Sequence, residues 1–384
     1  MKVAVVHHTL SSLGGGEKVF TYLVRALNDR GVVPDVYSSS PASPAELEAV
    51  YGVRVEFRLR NTIRLPRLPV FGIYQRLLMA YISSRIRGRY DVVVNTTGVF
   101  TPVYFRRRQV GRYILYVYNP QVSIFGPRPA WDVAVAEKYE RSLFWRLYFK
   151  PYKYLMARSI RNIDDALLVS VSRFTAERVR KYWGKESIVV YPPVDVEKFS
   201  RAWDGPHREG VIVIGRYTPE KRYLELLDVA RRLRGITFRF VGGAGTPYYR
   251  LYYERVRARA EELDLENVEL YRDLPLDKLV ELVAESKIHV HAMVHEDFGL
   301  VVAEAISGGL LPLPHNSGGP REIVPYRELR WSTFDELARK IAVWHSAPRS
   351  MVEHYTRRLR KHVERFRAEN FMENMARLVL GGGN

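Results

Sequence analysis

The 384-residue chain contains no cysteine, so it can form neither a disulfide nor a thiolate metal site. It has no run of eighteen apolar residues, and no transmembrane helix is expected. No separate apolar segment precedes KVAVVHH, a strand-like stretch beginning at residue 2, so no secretory leader is expected either. HExxH is absent and no carboxylate cluster stands out, which leaves no signature of a catalytic metal. The Gly-x-Ser-x-Gly of a serine hydrolase is missing, as are the Gly-Lys-Ser/Thr of a P-loop and an RNA- or DNA-binding signature. Negative charge is in short supply. Lys and Arg number 60 against 42 Asp and Glu, giving a net charge of +18 and a pI near 9.9. Such a balance implies acidic partners: nucleic acid, an anionic membrane face or phosphorylated substrates.

What is present is ample hydrophobic residue, 47% of the chain, in a length that suits two domains. A cysteine-free globular chain fits a cytosolic protein, and also a heat-adapted one. Short β-branched runs alternate with helical patterns: Val3–Val6, Val92–Asn95, Ile114–Tyr118 and Leu167–Val171, then Val211–Gly215, Thr237–Val241 and Ile288–His291. Apolar runs separated by helices indicate parallel strands in βαβ units, hence an α/β fold. Two sets of runs flank the polar segment SRAWDGPHRE, residues 200–209, which is the expected linker. This gives domains at 1–203 and 204–350. The helical stretch 351–384 is expected to cross back to the first domain.

The densest chemistry lies in HEDFGLVVAEAISGG, residues 295–309, where Glu296 and Glu304 stand eight apart around a Phe-Gly-Leu turn. The turn reads as a helix start, which gathers unpaired N–H groups and a partial positive charge, a natural phosphate site. Two carboxylates beside it can accept hydroxyls from a sugar and a ribose. The same spacing also suits an amphipathic helix with solvated glutamates. A second basic loop, VIVIGRYTPEKR, follows a strand with Gly215, Arg216 and Lys221, placing cations where a diphosphate can be clamped. Glycine-bearing turns recur at TLSSLGGGEK, FVGGAG and HNSGGP. The first, with Gly14, Gly15 and Gly16, lets backbone approach a ligand, though a plain flexible turn reads the same way. His289 and His291 alternate along a strand and read as structural, whereas His7 and His8 end the first strand.

A basic, aromatic belt occupies the first half: Arg54, Arg58, Arg60, Arg64 and Arg67, then residues 70–89, 104–112 and 141–161. Arginines interleaved with Trp, Phe, Tyr and Leu can seat helices in a lipid headgroup layer. They can also snorkel from a buried helix or stack on nucleic acid.

Taken together, HTLSSLGGGEK, GRYTPEKR and the E-x7-E pair Glu296/Glu304 resemble the retaining glycosyltransferases of family 4. NTTGVF, YVYNPQVS, VVYPPVDVEKF and VELYRDLPLDKL are similar to the branch that adds α-1,2-mannose to a dolichol-linked oligosaccharide. The resemblance implies a GT-B fold, two Rossmann-like domains with parallel sheets facing across a cleft. It implies that Arg216 and Lys221 bind the donor diphosphate and that Glu296 holds sugar hydroxyls. Phe298, Gly299 and Leu300 would present backbone N–H groups, and Glu304 would bind the nucleotide ribose. Gly15, Gly16, Gly215 and Arg272 join the donor set. His8 and Tyr118 are the candidate acceptor residues; Tyr118, in YVYNP, stands where the family often has His. Hexose transfer from a nucleotide-sugar, foremost GDP-mannose, to a lipid-linked acceptor at a cytoplasmic membrane surface follows, with no cofactor and no metal. The alternatives are a UDP-sugar donor with a soluble or lipid acceptor, or a non-catalytic sugar- or RNA-binding module. The resemblance leaves oligomeric state open.

Overall fold

The computed structural model describes residues 1–11, 14–38, 40–62, 89–97, 110–120, 166–203 and 208–381, with 143, 147, 148, 150, 151 and 154 besides. Most of the basic-aromatic belt, including Arg64, Arg67 and most of 141–161, lies outside these residues. So do the ends of NTTGVF and YVYNPQVS.

Val3–Val6 (β1) is buried at all four positions, as a strand covered on both faces must be. It pairs in parallel with Asp35–Ser38 (β2) and Tyr90–Asn95 (β4). Arg58–Thr62 (β3), Val110–Val117 (β5), Ala166–Ser170 (β6) and Ile188–Val189 (β7) complete a seven-stranded parallel sheet, ordered β3-β2-β1-β4-β5-β6-β7. Two arginines of the belt serve this sheet. Arg60 Nε lies 2.9 Å and Arg58 3.7 Å from buried Asp35, whose other oxygen accepts the Tyr90 hydroxyl at 2.7 Å.

The second sheet is built from Val211–Ile214 (β8), Phe238–Gly242 (β9), Val268–Arg272 (β10), Ile288–His291 (β11) and Leu311–Pro314 (β12). Its order is β10-β9-β8-β11-β12, again all parallel. β12 reads LPLP, a sequence that argues against a central strand. It works here because β12 is an edge. Leu311 donates to the carbonyl of Lys287, just before β11, at 3.0 Å and His315 to that of His291 at 2.8 Å, so the alternating Pro312 and Pro314 face away from the ladder.

The chain divides into two compact units, Met1–Pro193 with Ala368–Asn384, and Val194–Arg367. The division falls after Pro193 and after Arg367, where the sequence pattern suggested 203 and 350. The described residues of 200–209 pack within the second unit. Phe199 and Ala202 belong to a buried cluster with Ile212, Val241, Val283, Ala305 and Leu310, and Arg208 donates to the carbonyls of Trp203 and Gly308. Likewise, the helix Arg349–Val363 stays with the second unit, burying Val352, Thr356, Leu359 and Val363 against the helix Leu300–Ser307. Only the last helix, Ala368–Leu380, returns to the first unit. There Phe371 meets Tyr116 edge-on at 5.9 Å, and Arg112 caps the carbonyl of Val379 at 2.9 Å.

Candidate active site

In the second unit the strand order reverses between β8 and β11. Open α/β sheets bind ligands beyond the carboxyl ends of strands at such a point. β8 ends at Ile214 and feeds Gly215, Arg216 and a short 3-10 turn, Pro219–Lys221. β11 ends at His291 and feeds the loop that carries Glu296.

These two loops meet. Lys221 Nζ lies 2.8 Å from Glu296 Oε2, both side chains being more than four-fifths buried. Lys221 also lies 3.5 Å from the sulfur of Met293, and its aliphatic stem runs 3.3 Å from where a Cβ on Gly215 would stand. His291 Nε2 approaches the same Glu296 oxygen to 3.3 Å. Burial pushes the Glu296 carboxyl upward, but the charge of Lys221 and the imidazole of His291 outweigh it and hold Glu296 far below the usual carboxylate range. Burial and the Lys221 charge depress His291, against the pull of Glu296. Near neutral pH the arrangement is therefore an ammonium, a carboxylate and a neutral imidazole.

A third loop fixes the second. Gly319 N donates to the carbonyl of Glu296 at 2.8 Å, and a Cβ on Gly318 or Gly319 would fall 2.3 Å from Glu296 O or 2.4 Å from Asp297 O. The Gly-Gly of HNSGGP is thus required for contact with the Glu296 backbone. Ser317 Oγ accepts the His295 amide at 2.8 Å and lies 2.8 Å from His315 Nδ1. This holds His295 in a left-handed conformation, φ 55°, uncommon for a residue with a side chain.

Gly299, at φ 100°, then turns the chain into the helix Leu300–Ser307, as only glycine does readily. The first amides of that helix have no intrahelical acceptor. Glu304 sits one turn inside, half-buried. Phe298 contributes backbone to this turn, while its ring is buried against Phe366 at 5.2 Å. Arg216 is in the same loop as Lys221 but takes Tyr249 as its partner, with Nη1 donating to the hydroxyl at 3.0 Å. Arg272 closes edge strand β10, pairing with Glu254 at 3.7 Å and lying over Tyr253. The structure thus brings Lys221, Glu296 and the Phe298–Leu300 turn together, and assigns Arg216 and Arg272 to other side chains. His291, read from the sequence as structural, contacts Glu296 directly. Its signal was positional: it is the last residue of the strand at the switch point.

In the first unit, Gly14 caps the helix Gly15–Asn28, and Glu17 Oε2 accepts the Gly14 amide at 2.8 Å. Buried His7 lies 3.7 Å from Glu17 and 2.9 Å from Thr96 Oγ1. Tyr118 donates its hydroxyl to the Gly16 carbonyl at 3.2 Å, and burial raises its pKa well above the usual phenol range. Tyr118 is therefore a neutral brace on the glycine loop. His8 follows β1, half-buried. His7, one residue earlier, is the histidine nearer Gly16, its Cε1 3.7 Å from where a Cβ would stand.

Among the described residues, no group of three or more His, Asp or Glu is arranged to hold a metal ion, and no helix is long and apolar enough to cross a membrane.

Residues 13–198 match the Glycosyltransferase Family 4 domain model, and residues 196–358 match Glycosyl transferases group 1. A curated Dictyostelium discoideum protein, "GDP-Man:Man(3)GlcNAc(2)-PP-Dol alpha-1,2-mannosyltransferase", is 26% identical over 287 residues. That alignment spans 69% of this chain but 54% of the relative, about half its length. The protein of the same name from Xenopus laevis is 25% identical, across 85% of this chain and 75% of the relative. Among solved structures, a sucrose-phosphate synthase from Thermosynechococcus elongatus superposes with a TM-score of 0.74 at 16% identity, covering 99% of each chain. Anabaena HepE in complex with UDP gives 0.71 at 15% identity, over 99% of this chain and 100% of that one.

Two parallel-sheet α/β units, each matched by a transferase domain, define a glycosyltransferase enzyme of GT-B fold. The chain carries a Glycosyltransferase Family 4 domain followed by a Glycosyl transferases group 1 domain.

Proposed function

We propose that the enzyme transfers mannose from GDP-mannose to a dolichol-type lipid-linked saccharide, with retention of anomeric configuration. The contact of Lys221 with Glu296, at 2.8 Å beside the helix start at Leu300, carries this reading. The ammonium of Lys221 offsets charge on the departing diphosphate, and the amides of Gly299 and Leu300 receive its oxygens. Glu296, kept ionised by its neighbours, accepts hydrogen bonds from hydroxyls of the donor sugar. Glu304, one turn further, accepts from the ribose. Attack and departure occur on one face of the sugar, and the leaving phosphate assists removal of the acceptor's proton. Relatives named for GDP-mannose and a dolichol-linked acceptor support the choice of donor and acceptor. The net charge of +18 favours work at an anionic, cytoplasmic membrane surface, reached peripherally. No metal or cofactor takes part in this mechanism, so turnover should withstand a chelator.

Titration calorimetry with GDP and UDP tests the donor. Tighter binding of GDP, weakened in Glu304→Ala, supports the reading. Preference for UDP would move the enzyme to the UDP-sugar alternative.

A further inference from the structure

On another part of the second unit is a surface cavity of about 460 Å³, lined by Trp203, Arg357, Arg360, Lys361 and Glu364. We propose that this cavity binds a phosphate ester group at a site separate from the donor diphosphate. The four charged residues recur at i, i+3, i+4 and i+7, on one face of the helix Arg349–Val363 and the turn that follows. Three cations against one carboxylate leave two positive charges, matching a phosphomonoester dianion.

The charges are unequally engaged. Arg357 pairs with Glu353 at 3.0 Å, and Glu364 is ion-paired with Arg367. Neither Arg360 nor Lys361 pairs with any carboxylate among the described residues. The Arg360 guanidinium lies 4.3 Å over the indole of Trp203. A guanidinium stacked by its face keeps its N–H edge for a bidentate contact, and the neighbouring ammonium supplies a point charge. The platform is held in place. Arg208 donates to the carbonyls of Trp203 at 3.1 Å and Gly308 at 2.9 Å. Gly309, at φ 88°, admits the indole where a Cβ would stand 3.1 Å from its Cε3. A cationic pair mounted on an anchored indole is a recognition element, whereas solvated surface charges are ordinarily paired or dispersed.

The phosphate can belong to a soluble ester or to a lipid headgroup. Two assays on the full chain distinguish them: calorimetric titration with glycerol 3-phosphate, and co-sedimentation with phosphatidylcholine vesicles with and without phosphatidic acid. Each is run on wild type, Arg360→Gln/Lys361→Gln and Trp203→Phe, with thermal unfolding as the control for folding. The expected result is a loss of at least about fivefold in affinity in the double variant, and a smaller loss in Trp203→Phe, at unchanged Tm. Loss confined to glycerol 3-phosphate identifies a soluble ester; loss of vesicle binding identifies the headgroup. Affinities equal to wild type in both assays would overturn the proposal.

Discussion

Lys221 and Glu296, seventy-five residues apart in sequence, meet at 2.8 Å beyond the ends of β8 and β11. In the proposed function one member meets the diphosphate and the other the sugar hydroxyls, two adjoining parts of the donor. Lys221→Ala should lower kcat by about 10²–10³, the scale of losing one preorganised electrostatic stabiliser. Lys221→Ala also leaves a buried carboxylate without its cation, which costs about 3–5 kcal/mol of stability where the site does not relax. Measuring kcat well below the lowered Tm separates the two effects.

The two glutamates should fail differently. Glu296→Ala is expected to abolish turnover. Glu304→Ala is expected mainly to raise the nucleotide Kd, because the proposed function gives this residue, one turn into the helix, the ribose hydroxyls. Steady-state kinetics with nucleotide titration reads this, and equal, wild-type activity in both variants would return the motif to a solvated helix.

His291 Nε2 lies 3.3 Å from the Glu296 carboxylate. His291→Leu should lower kcat by about tenfold, by loosening a carboxylate whose misplacement by even an ångström is costly. A change confined to Tm, with kcat intact, would mean that His291 only fills space.

Gly319 has an ordinary φ, so alanine is conformationally acceptable there, and approaches of 2.4 Å to the Asp297 carbonyl oxygen and 2.5 Å to Phe298 Cα forbid it. Gly319→Ala should therefore displace the Glu296 loop, reducing donor affinity and Tm together. Unchanged values of both would show that the loop moves freely.

His289 is fully buried, neither ring nitrogen has a partner among the described residues, and burial with the charges of His291 and Lys221 holds it well below the usual histidine range. The unfolded chain takes up a proton near pH 6.5 that the native state refuses, so stability falls as pH drops below about 6.5. His291 and His315, the latter lowered to about 4, add the same sign. His289→Leu should flatten, without abolishing, the fall in Tm between about pH 7.5 and about pH 5.

How much of this was legible depended on how local its cause is. Ile288–His291 is buried at every position, and its β-branched Ile288 and Val290, alternating with histidine, mark it as a strand. The Phe-Gly-Leu turn marked the helix start at Leu300. β12 was not legible, because whether Leu-Pro-Leu-Pro can be a strand depends on its lying at a sheet edge. Polar SRAWDGPHRE resembles a linker, while Arg208 donates to five carbonyls of the second unit, which local pattern does not show. Arg216 and Arg272 instead meet Tyr249 and Glu254 of the helix Pro247–Glu262, contacts that the sequence does not show.

The most direct test is transfer of radiolabelled mannose from GDP-mannose to a dolichol-diphosphate-linked saccharide, comparing wild type with Glu296→Gln. The account predicts label in the lipid fraction for wild type, in an α-linkage, and none above background for a variant that binds GDP normally. Equal labelling by Glu296→Gln, or transfer from UDP-glucose but not from GDP-mannose, would contradict it.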